Sequence, residues 1–350
     1  MKISTPMKTG VILAVGLVTL GLLRYHPWTH KPGDGTGSGS ATFHVLKVGF
    51  LPVTCHLTCP VTAFATRHSK NMRFTSELYH DWPTITEAFE AGRLQATFML
   101  APMAMQMVAK GVGCKIVYLG HRDGSTMVVG IHSTAKSLLD LKGQTIAVPS
   151  FDSNQYLVLL HAMRHLGMPK DSIRFVQLAP PDMPTALATH SIAGYFVGEP
   201  FAGKAEMMGI GKVLYYSNQL WPHFISCVMV ASDNLIKNNP AEVRALVKGI
   251  ADSGAWAETH RVQAAEVAAP YFRQDPKLLK YVLTSPVWRV KYSDLTPTNQ
   301  DMISIEDDAV KAGLLKQVMP VSSFLDTSFI PKKIVPDNII VPAADKPQVH

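Results

Sequence analysis

Two cysteines and a histidine lie close together in the segment Cys55-His-Leu-Thr-Cys59. Thiolate and imidazole groups bind soft metal ions such as Cu(I), and His56 with Met103 could complete such a ligand set. The two cysteines could instead form a disulfide across one helical turn in an oxidising compartment. A third interpretation keeps them reduced, as small side chains lining an apolar pocket. The segment by itself leaves all three open.

The remaining cysteines and one histidine pair are weaker candidates. Cys114 and Cys227 lie in apolar, strand-like surroundings, which predicts buried core thiols. His161 and His165 have the spacing of two metal ligands on one helix face, but no glutamate lies between them and no third ligand is evident. The sequence shows no nucleophile–base pair, phosphate-binding loop or dinucleotide fingerprint. We therefore predict no catalytic residue, no resident metal and no cofactor.

Strand and helix signals alternate along the chain after the first 45 residues, which predicts an α/β fold. Short β-branched runs between turn residues indicate buried strands. The predicted strands are Leu46–Leu51, Thr97–Leu100, Lys115–Leu119, Thr126–Ile131, Thr145–Val148, Ser172–Gln177, Ala193–Val197 and Ser226–Ala231. Capping signals indicate three of the helices. These run from Thr84 to Ala91, from Gln155 to Leu166, and from Asn239 towards His260. The alternation favours mostly parallel pairing with helices on both faces.

The first 41 residues differ from the rest in composition. An apolar run, Gly10–Leu23, lies between Lys8 and Arg24 and precedes a Gly/Ser-rich linker. Its length favours a signal peptide, whereas the lack of a small-residue cleavage site favours an uncleaved signal anchor, which we predict. Of the net charge of +7, residues 1–41 carry +3. The body is therefore too mildly basic to predict nucleic acid as a partner.

A series of short motifs follows in a characteristic order over roughly residues 45–290. The motifs are Leu46–Val53, Ile85–Gly92, Phe98–Ala104, Asp140–Pro149, Gly198–Phe201, Leu220–Pro222, Cys227–Val230 and Asn239-Pro240. In this order the chain resembles the substrate-binding proteins of nitrate, sulfonate and taurine ABC importers. The resemblance implies a type II periplasmic-binding-protein fold, in which two lobes with mixed sheets are joined by a hinge and close on a ligand.

The resemblance also implies a division of the chain. Lobe 1 would comprise residues 45–131 and 232–330, and lobe 2 would comprise residues 132–231. The strand crossovers near Ile131 and Val230 would form the hinge. Residues 331–350 contain four prolines and are predicted to form an extended tail.

The ligand site is expected where loops follow strands, because open α/β sheets bind ligands beyond the carboxyl ends of their strands, near helix N-termini. Four loops qualify: Pro52–Cys59, Ala101–Ala104, Ser150–Gln155 and Gly198–Phe201. Two tryptophans would add flat apolar walls. The predicted ligand-binding residues are Thr54, Cys55, His56, Trp82, Pro102, Met103, Ser125, Ser153, Asn154, Glu199 and Trp221.

The function implied by the resemblance is that of a monomeric, extracytoplasmic solute-binding protein. It would capture a small organic anion, such as a sulfonate, a nitrate-like ion or a carboxylate, and deliver it to an ABC permease in the membrane. The scarcity of cations in the predicted loops favours a sulfonate or apolar organic acid over nitrate. Two alternatives remain. One is an enzyme like the thiamine-precursor synthases, which share the fold but carry a denser cysteine cluster and a cofactor lysine not found here. The other is a thiol or soft-metal sensor using Cys55, His56 and Cys59.

Overall fold

The polypeptide forms two mixed β-sheets with helices packed against them, which confirms the α/β class. The computed structural model describes residues 44–67 and 72–339. The strands are β1 (His44–Phe50), β2 (Met72–Leu78), β3 (Ala96–Met99), β4 (Cys114–Asp123), β5 (Ser125–Gly130), β6 (Thr145–Val148), β7 (Arg174–Gln177), β8 (Gly194–Gly198), β9 (Gly211–Tyr216), β10 (Ile225–Ser232) and β11 (Val290–Lys291). The helices are α1 (Thr58–Thr66), α2 (Trp82–Glu90), α3 (Ala101–Ala109), α4 (Asn154–His165), α5 (Met183–Ala188), α6 (Phe201–Met207), α7 (Ser217–Leu220), α8 (Asp233–Asn238), α9 (Pro240–Thr259), α10 (Arg261–Phe272), α11 (Pro276–Thr284) and α12 (Asn299–Ala312).

The first sheet has the strand order β11-β4-β10-β3-β1-β2, and the second has the order β7-β6-β8-β5-β9. In the first sheet β1 is parallel to β2 and β3, whereas β10 is antiparallel to both β3 and β4. In the second sheet β6 is parallel to β7 and β8, whereas β5 is antiparallel to β8 and β9. Each sheet is therefore parallel on one side and antiparallel on the other, rather than mostly parallel throughout.

The chain crosses between the sheets at Gly124 and again between β9 and β10. Strand β5 belongs to the second sheet and β10 to the first, so the boundaries predicted at 131/132 and 231/232 each lie several residues too late. We call residues 44–123 with 225–339 the first half of the body, and residues 124–224 the second half.

Gly124 makes the first crossing possible. Its φ of +68° lies in the left-handed region, which residues other than glycine rarely adopt. A Cβ atom at this position would also stand 2.2 Å from Cε1 of the His121 ring. The turn between β4 and β5 therefore needs glycine for two independent reasons, its backbone conformation and the close approach of the ring.

One contiguous apolar core runs through both halves of the body. It joins buried residues of the first sheet, such as Phe50 and Phe98, with Tyr195 and Phe201 of the second half. A smaller core lies within the second half around Ile146 and its neighbours. Since burial of apolar surface is the main favourable term in folding, the larger core holds the two halves together in this arrangement.

Local capping signals position the helices that follow the strands. Helix α2 begins two residues before the predicted Thr84, because the Asp81 side chain accepts the Thr84 N–H at 2.9 Å and Pro83 suits the first turn. Helices α4 and α9 begin within a residue or two of their predicted starts.

Both predicted terminal segments fall largely outside the described residues. The predicted signal anchor with its Gly/Ser linker, and residues 340–350 of the predicted tail, lie there. The described part of the tail, residues 331–339, includes a 3-10 turn, and the Val335 N–H donates to the Asp252 carboxylate at 2.8 Å. Over residues 44–67 and 72–339, no helix is long and apolar enough to cross a bilayer.

Candidate functional site

A 3-10 turn, Thr54–His56, follows β1 at the carboxyl edge of the first sheet. Thr54 is held by three hydrogen bonds. Its hydroxyl pairs with His121 Nε2 at 2.9 Å, its carbonyl accepts the Tyr292 hydroxyl at 2.8 Å, and its N–H donates to the Glu199 carbonyl at 2.6 Å. Because Glu199 lies in the second half, the first predicted loop meets the second half directly. Burial lowers the pKa of His121, although Cys55 and Asp123 oppose this, so the ring is neutral near pH 7.

Asn154 connects the same edge of the first sheet to helix α4. Its Oδ1 accepts the N–H of Ala101, the first residue of α3, at 3.0 Å. Its Nδ2 donates to the carbonyl of Ile225 at 2.6 Å. A side chain of the second half therefore satisfies a helix N-terminal donor of the first half, the kind of donor that binds anions in other proteins.

Ser153, the neighbour of Asn154, has a different role from the one predicted. Its hydroxyl accepts the N–H of Tyr156 at 3.0 Å and donates to the carbonyl of Ser150 at 2.6 Å. Both bonds lie within its own loop and helix, so Ser153 is the N-cap of α4. This use of the hydroxyl explains why α4 begins here and leaves Asn154 directed towards the first half.

Ser125 lies where the two halves meet, close to Ser226 of the first half and Gln155 of the second. Its hydroxyl accepts from Gln155 Nε2 at 2.9 Å and lies 3.5 Å from the Ser226 hydroxyl. Gln155 Oε1 is buried without a hydrogen-bond partner. A buried carbonyl oxygen of this kind costs free energy when unpaired, and it is therefore an acceptor available to a bound molecule.

Glu199 is committed to an ion pair, which differs from the predicted ligand contact. Its carboxylate accepts from Arg289 Nε at 2.7 Å, from the Thr126 hydroxyl at 2.5 Å and from the Gly203 N–H at 3.0 Å. Arg289 also pairs with Glu206. Burial would lower the pKa of Arg289, but the two carboxylates outweigh it and raise that pKa. The side chains of Glu199 and Arg289 are both fully buried, so this pair fastens the segment before β11 to the second half.

Four of the predicted residues form an aromatic and thioether wall inside the first half. The His56 ring stacks on Phe98 with centroids 5.0 Å apart and meets Trp82 edge-on at 5.5 Å. Trp82 Nε1 is buried without a partner. The Met103 sulfur lies 3.3 Å from the Thr86 hydroxyl, which also donates to the Trp82 carbonyl at 2.7 Å. Pro102, the remaining residue of the four, is buried in the first turn of α3.

The cysteine partner of Cys55 is Cys227, not Cys59. The Sγ atoms of Cys55 and Cys227 lie 2.6 Å apart, whereas Cys59 Sγ faces the Val48 carbonyl at 3.8 Å. Cys227 is a buried thiol, as predicted, and its sulfur faces that of Cys55. Burial raises the pKa of Cys59, and burial with the neighbouring Asp233 raises that of Cys114 to about 12. Neither of these two thiols ionises near pH 7.

Cys55, His56 and Cys227 each offer a potential metal ligand atom, and these atoms lie within 4.8 Å of one another. However, His56 Nδ1 accepts the Leu51 N–H at 2.7 Å. In the neutral ring the proton then resides on Nε2, which leaves that nitrogen without a lone pair for a metal. The trio fits a metal only if this backbone hydrogen bond is lost.

A cavity of ≈ 360 Å³ opens between α4 of the second half and the N-terminal part of α12. At its wall Arg122 Nη2 pairs with Asp301 at 3.0 Å, and Arg122 Nε lies 3.5 Å from an Asp294 oxygen. Trp221 contributes an apolar face and packs on His161 with centroids 4.9 Å apart. The cavity is lined by Arg122, Asn154, Leu157, Val158, Trp221, Pro222, His223, Phe224, Ile225, Asp294, Thr298, Gln300, Asp301, Ser304 and Ile305.

The structure thus gathers the predicted residues into three groups. Thr54, Ser125 and Asn154 lie between the halves, Asn154 and Trp221 line the cavity, and the aromatic wall lies within the first half. Sequence reasoning missed Arg122, Arg289 and Tyr292, which lie in no motif used to predict the site. The pattern Thr298-Asn-Gln-Asp301 was an available signal, because it is a capping box that opens α12 at the cavity.

The sequence profile described as the NMT1-like family matches residues 41–271. The match covers the turn after β1, the start of α3, the start of α4 and the beginning of β10. The chain belongs to the NMT1-like family. All the polar contacts between Thr54, Ala101, Asn154 and Glu199 therefore lie within the part of the chain that defines this family.

Relatives of this family member include proteins of known solute class. Curated relatives from Brucella abortus are 23% identical over 202 residues, which is 57% of this chain and 62% of theirs. The chain therefore spans less than two thirds of their length. The taurine-binding periplasmic protein of Escherichia coli is 28% identical over 173 residues, 49% of this chain and 53% of that protein.

Solved structures show the same fold. The zinc-bound ligand-binding component of an ABC-type import system from Staphylococcus aureus has a TM-score of 0.73 at 24% identity, over 81% of this chain and 97% of that one. The periplasmic nitrate-binding protein from Synechocystis has a TM-score of 0.70 at 14% identity, over 77% and 82% of the two chains. A desulfurization enzyme has a TM-score of 0.59 at 13% identity, over 81% and 97%. The periplasmic-binding-protein fold of this family member thus also occurs in an enzyme, and function must be argued from the site.

Proposed function

We propose that this protein is the extracytoplasmic solute-binding component of an ABC importer, and that it captures a small organic anion between its two halves. One observation carries the proposal. The Asn154 amide of the second half occupies the N-terminal donor of α3 in the first half. A ligand oxygen can replace this amide oxygen, because a helix N-terminus favours negative charge.

The chemistry of the region favours a sulfonate among the organic anions, which also include carboxylates and nitrate-like ions. The two arginines near the region, Arg122 and Arg289, are each paired with carboxylates. An anion there would be bound by N–H and hydroxyl donors rather than by a guanidinium. At the cavity wall two carboxylates, Asp294 and Asp301, face a single arginine, Arg122. The excess of negative over positive charge suits the ammonium group of an aminosulfonate.

Capture would require the halves to separate and close. The two crossings at Gly124 and between β9 and β10 are the connections about which they would move. Ligand contacts made from both halves would favour the closed form, which would then dock on a membrane permease. The similarity to periplasmic relatives supports a location outside the cytoplasm, and the predicted anchor at Gly10–Leu23 would tether the protein there. We also propose that the protein acts as a monomer and does not bind nucleic acid.

The test is a panel of small anions, including taurine, short alkanesulfonates, nitrate and carboxylates, added to the purified protein. A ligand of the proposed class should raise the melting temperature and reduce the radius of gyration measured by small-angle scattering. Trp221→Ala should weaken its affinity by roughly tenfold through loss of an apolar wall. The matched control is Trp288→Ala, a partly exposed tryptophan that does not line the cavity.

Two results would reject this function. The first is that no member of the panel stabilises or compacts the protein. The second is that nuclear magnetic resonance shows a panel compound being converted to a product, which would favour an enzyme on this fold.

A further inference from the structure

The sulfur atoms of Cys55 and Cys227 lie 2.6 Å apart, although the residues are 172 positions apart in the chain. Both side chains are almost completely buried. We propose that Cys55 and Cys227 form a native disulfide that joins the turn after β1 to strand β10. The cross-link is a property separate from solute capture, because it covalently joins the turn that carries Thr54 to the first sheet.

The backbone is arranged so that these two side chains meet. A Cβ atom at Gly120 of β4 would lie 2.3 Å from the Cys55 carbonyl oxygen and 3.3 Å from the Cys227 carbonyl oxygen. Only glycine therefore lets the turn approach the β4–β10 pair this closely. The pairing of β10 with β4 also shifts register on both sides of Cys227. Such irregularities re-aim a side chain relative to a regular strand.

The other cysteines do not compete for this partner. Cys59 Sγ contacts the Val48 carbonyl in the core, and Cys114 lies at the opposite end of β4 from the residues that pair with Cys227. A disulfide between Cys55 and Cys59, one of the possibilities left open by the sequence, would require both side chains to leave these positions. The structure therefore assigns one partner to Cys55 and leaves two unpaired thiols.

The geometry fits a disulfide better than a metal. A disulfide holds its sulfur atoms about 2.05 Å apart. Two thiolates bound to one tetrahedral zinc at ~2.3 Å each would be held roughly 3.7 Å apart. The separation in this structure is nearer to the former. The third potential ligand, His56, already uses Nδ1 to accept the Leu51 N–H.

The reaction is a two-electron oxidation. Each thiol loses one proton and one electron, and one S–S bond forms. A disulfide oxidant, such as oxidised glutathione or a disulfide-bonded oxidoreductase, accepts the electrons and protons and becomes two thiols. Since both sulfurs are buried, oxidation would occur before folding is complete, in the oxidising compartment that the proposed location supplies.

The cross-link would stiffen the turn that contributes Thr54 to the region between the halves. Thr54 donates its N–H to the Glu199 carbonyl of the second half and accepts the Tyr292 hydroxyl. A bond at the adjacent residue, Cys55, fixes this turn to the first sheet. The contact between Thr54 and Glu199 would then be made or broken by movement of the second half alone.

The experiment counts thiols in the full chain, refolded in a glutathione redox buffer and then alkylated in denaturant without reductant. We expect two alkylated cysteines, and a mass two hydrogens below the value calculated for the same chain with two alkylated and two free thiols. Peptide mapping should give one linked pair containing Cys55 and Cys227. After reduction all four cysteines should be alkylated. Cys59→Ser and Cys114→Ser are the matched controls, and each should keep the linked pair and lose one alkylated site.

A stability measurement tests whether the cross-link stabilises the folded protein. Protein refolded from the reduced, denatured chain in reductant should melt on the order of 5 °C or more below protein refolded in the glutathione buffer, because the cross-link constrains a long loop in the unfolded chain. The double variant Cys55→Ala/Cys227→Ala, with its fold checked by circular dichroism, should not respond to reductant. Equal melting temperatures for parent protein refolded with and without reductant would contradict the proposal.

Three results would overturn the disulfide. They are four free thiols in the oxidised sample, a linked peptide containing Cys59, and stoichiometric zinc or copper whose removal by a chelator exposes Cys55 and Cys227. None of these measurements uses a solute. Failure of the anion panel would therefore leave the thiol result intact, and failure of the cross-link would leave solute capture untouched.

Discussion

The Glu199–Arg289 pair is the most consequential residue-scale feature of the site. A buried carboxylate and a buried guanidinium are each costly to remove from water, and they persist because each neutralises the other. Glu199 gains further from the Thr126 hydroxyl and the Gly203 N–H. Its side chain therefore holds the loop after β8 in place, while its carbonyl meets Thr54.

Glu199→Gln should reduce the free energy of unfolding by about 2–4 kcal/mol. The substitution keeps the size of the side chain but leaves Arg289 charged and buried with Glu206 as its remaining partner, and loss of a buried ionic partner is strongly destabilising. Urea unfolding followed by circular dichroism measures the change. Glu77→Gln is the control, because the Lys47–Glu77 pair at 2.9 Å lies on the surface, where loss of the pair should have no measurable effect. A variant of Glu199 that keeps its stability but loses ligand affinity would restore the original prediction of a ligand contact.

At the scale of elements, short turns and caps decide where functional groups point. The Ser153 cap begins α4 so that the next residue, Asn154, reaches the N-terminus of α3. The turn at Gly124 likewise sets the direction of β5, because it carries the chain from the first sheet directly into the second. Moving either start by one residue would redirect the side chains that follow.

Gly124→Ala should destabilise the protein by about 1–3 kcal/mol, because it combines a left-handed backbone with a Cβ 2.2 Å from His121. Gly143→Ala separates the two causes. Gly143 has a similar φ of +76° but has no atom within 4 Å of the added Cβ. We expect thermal unfolding to show a larger loss for Gly124→Ala than for Gly143→Ala. Equal losses would show that the His121 ring yields without cost.

At the scale of the whole molecule, the two halves are held together by a shared apolar core and by a few polar bridges. The bridges include Thr54 to Glu199, Ala101 to Asn154, and Gln106 to Asp152 at 2.6 Å. Polar bridges of this kind contribute roughly 1 kcal/mol each to the contact between the halves.

Asn154→Ala should favour separation of the halves in the absence of ligand. It removes both the bond to the Ala101 N–H and the bond to the Ile225 carbonyl. The expected result is a larger radius of gyration by small-angle scattering than in the parent protein. Ser153→Ala is the matched neighbour: it should cost about 1 kcal/mol of stability through loss of the cap but leave the radius of gyration unchanged. An unchanged radius in Asn154→Ala would show that the apolar core alone holds the halves together.

Much of the architecture was determined by the sequence. The eight predicted strands correspond to β1, β3, β4, β5, β6, β7, β8 and β10, because buried β-branched runs between turn residues are a local signal. Strands β2, β9 and β11 were missed. Most described residues of β2 and β9 are half-buried, which weakens the pattern of buried runs, and β11 has only two residues. The ordered motifs also sufficed to indicate the family.

Only the tertiary structure decided the partners. Cys55 and Cys227 are 172 residues apart, and Glu199 and Arg289 are 90 residues apart, so no local pattern could join them. The same holds for the sheet to which β5 and β10 belong, since an antiparallel strand has the same alternation in either sheet. Local propensity sets where an element begins and ends. Which buried polar side chains satisfy one another depends on packing across the whole chain, and that packing placed Asn154 against α3 and Cys227 against Cys55.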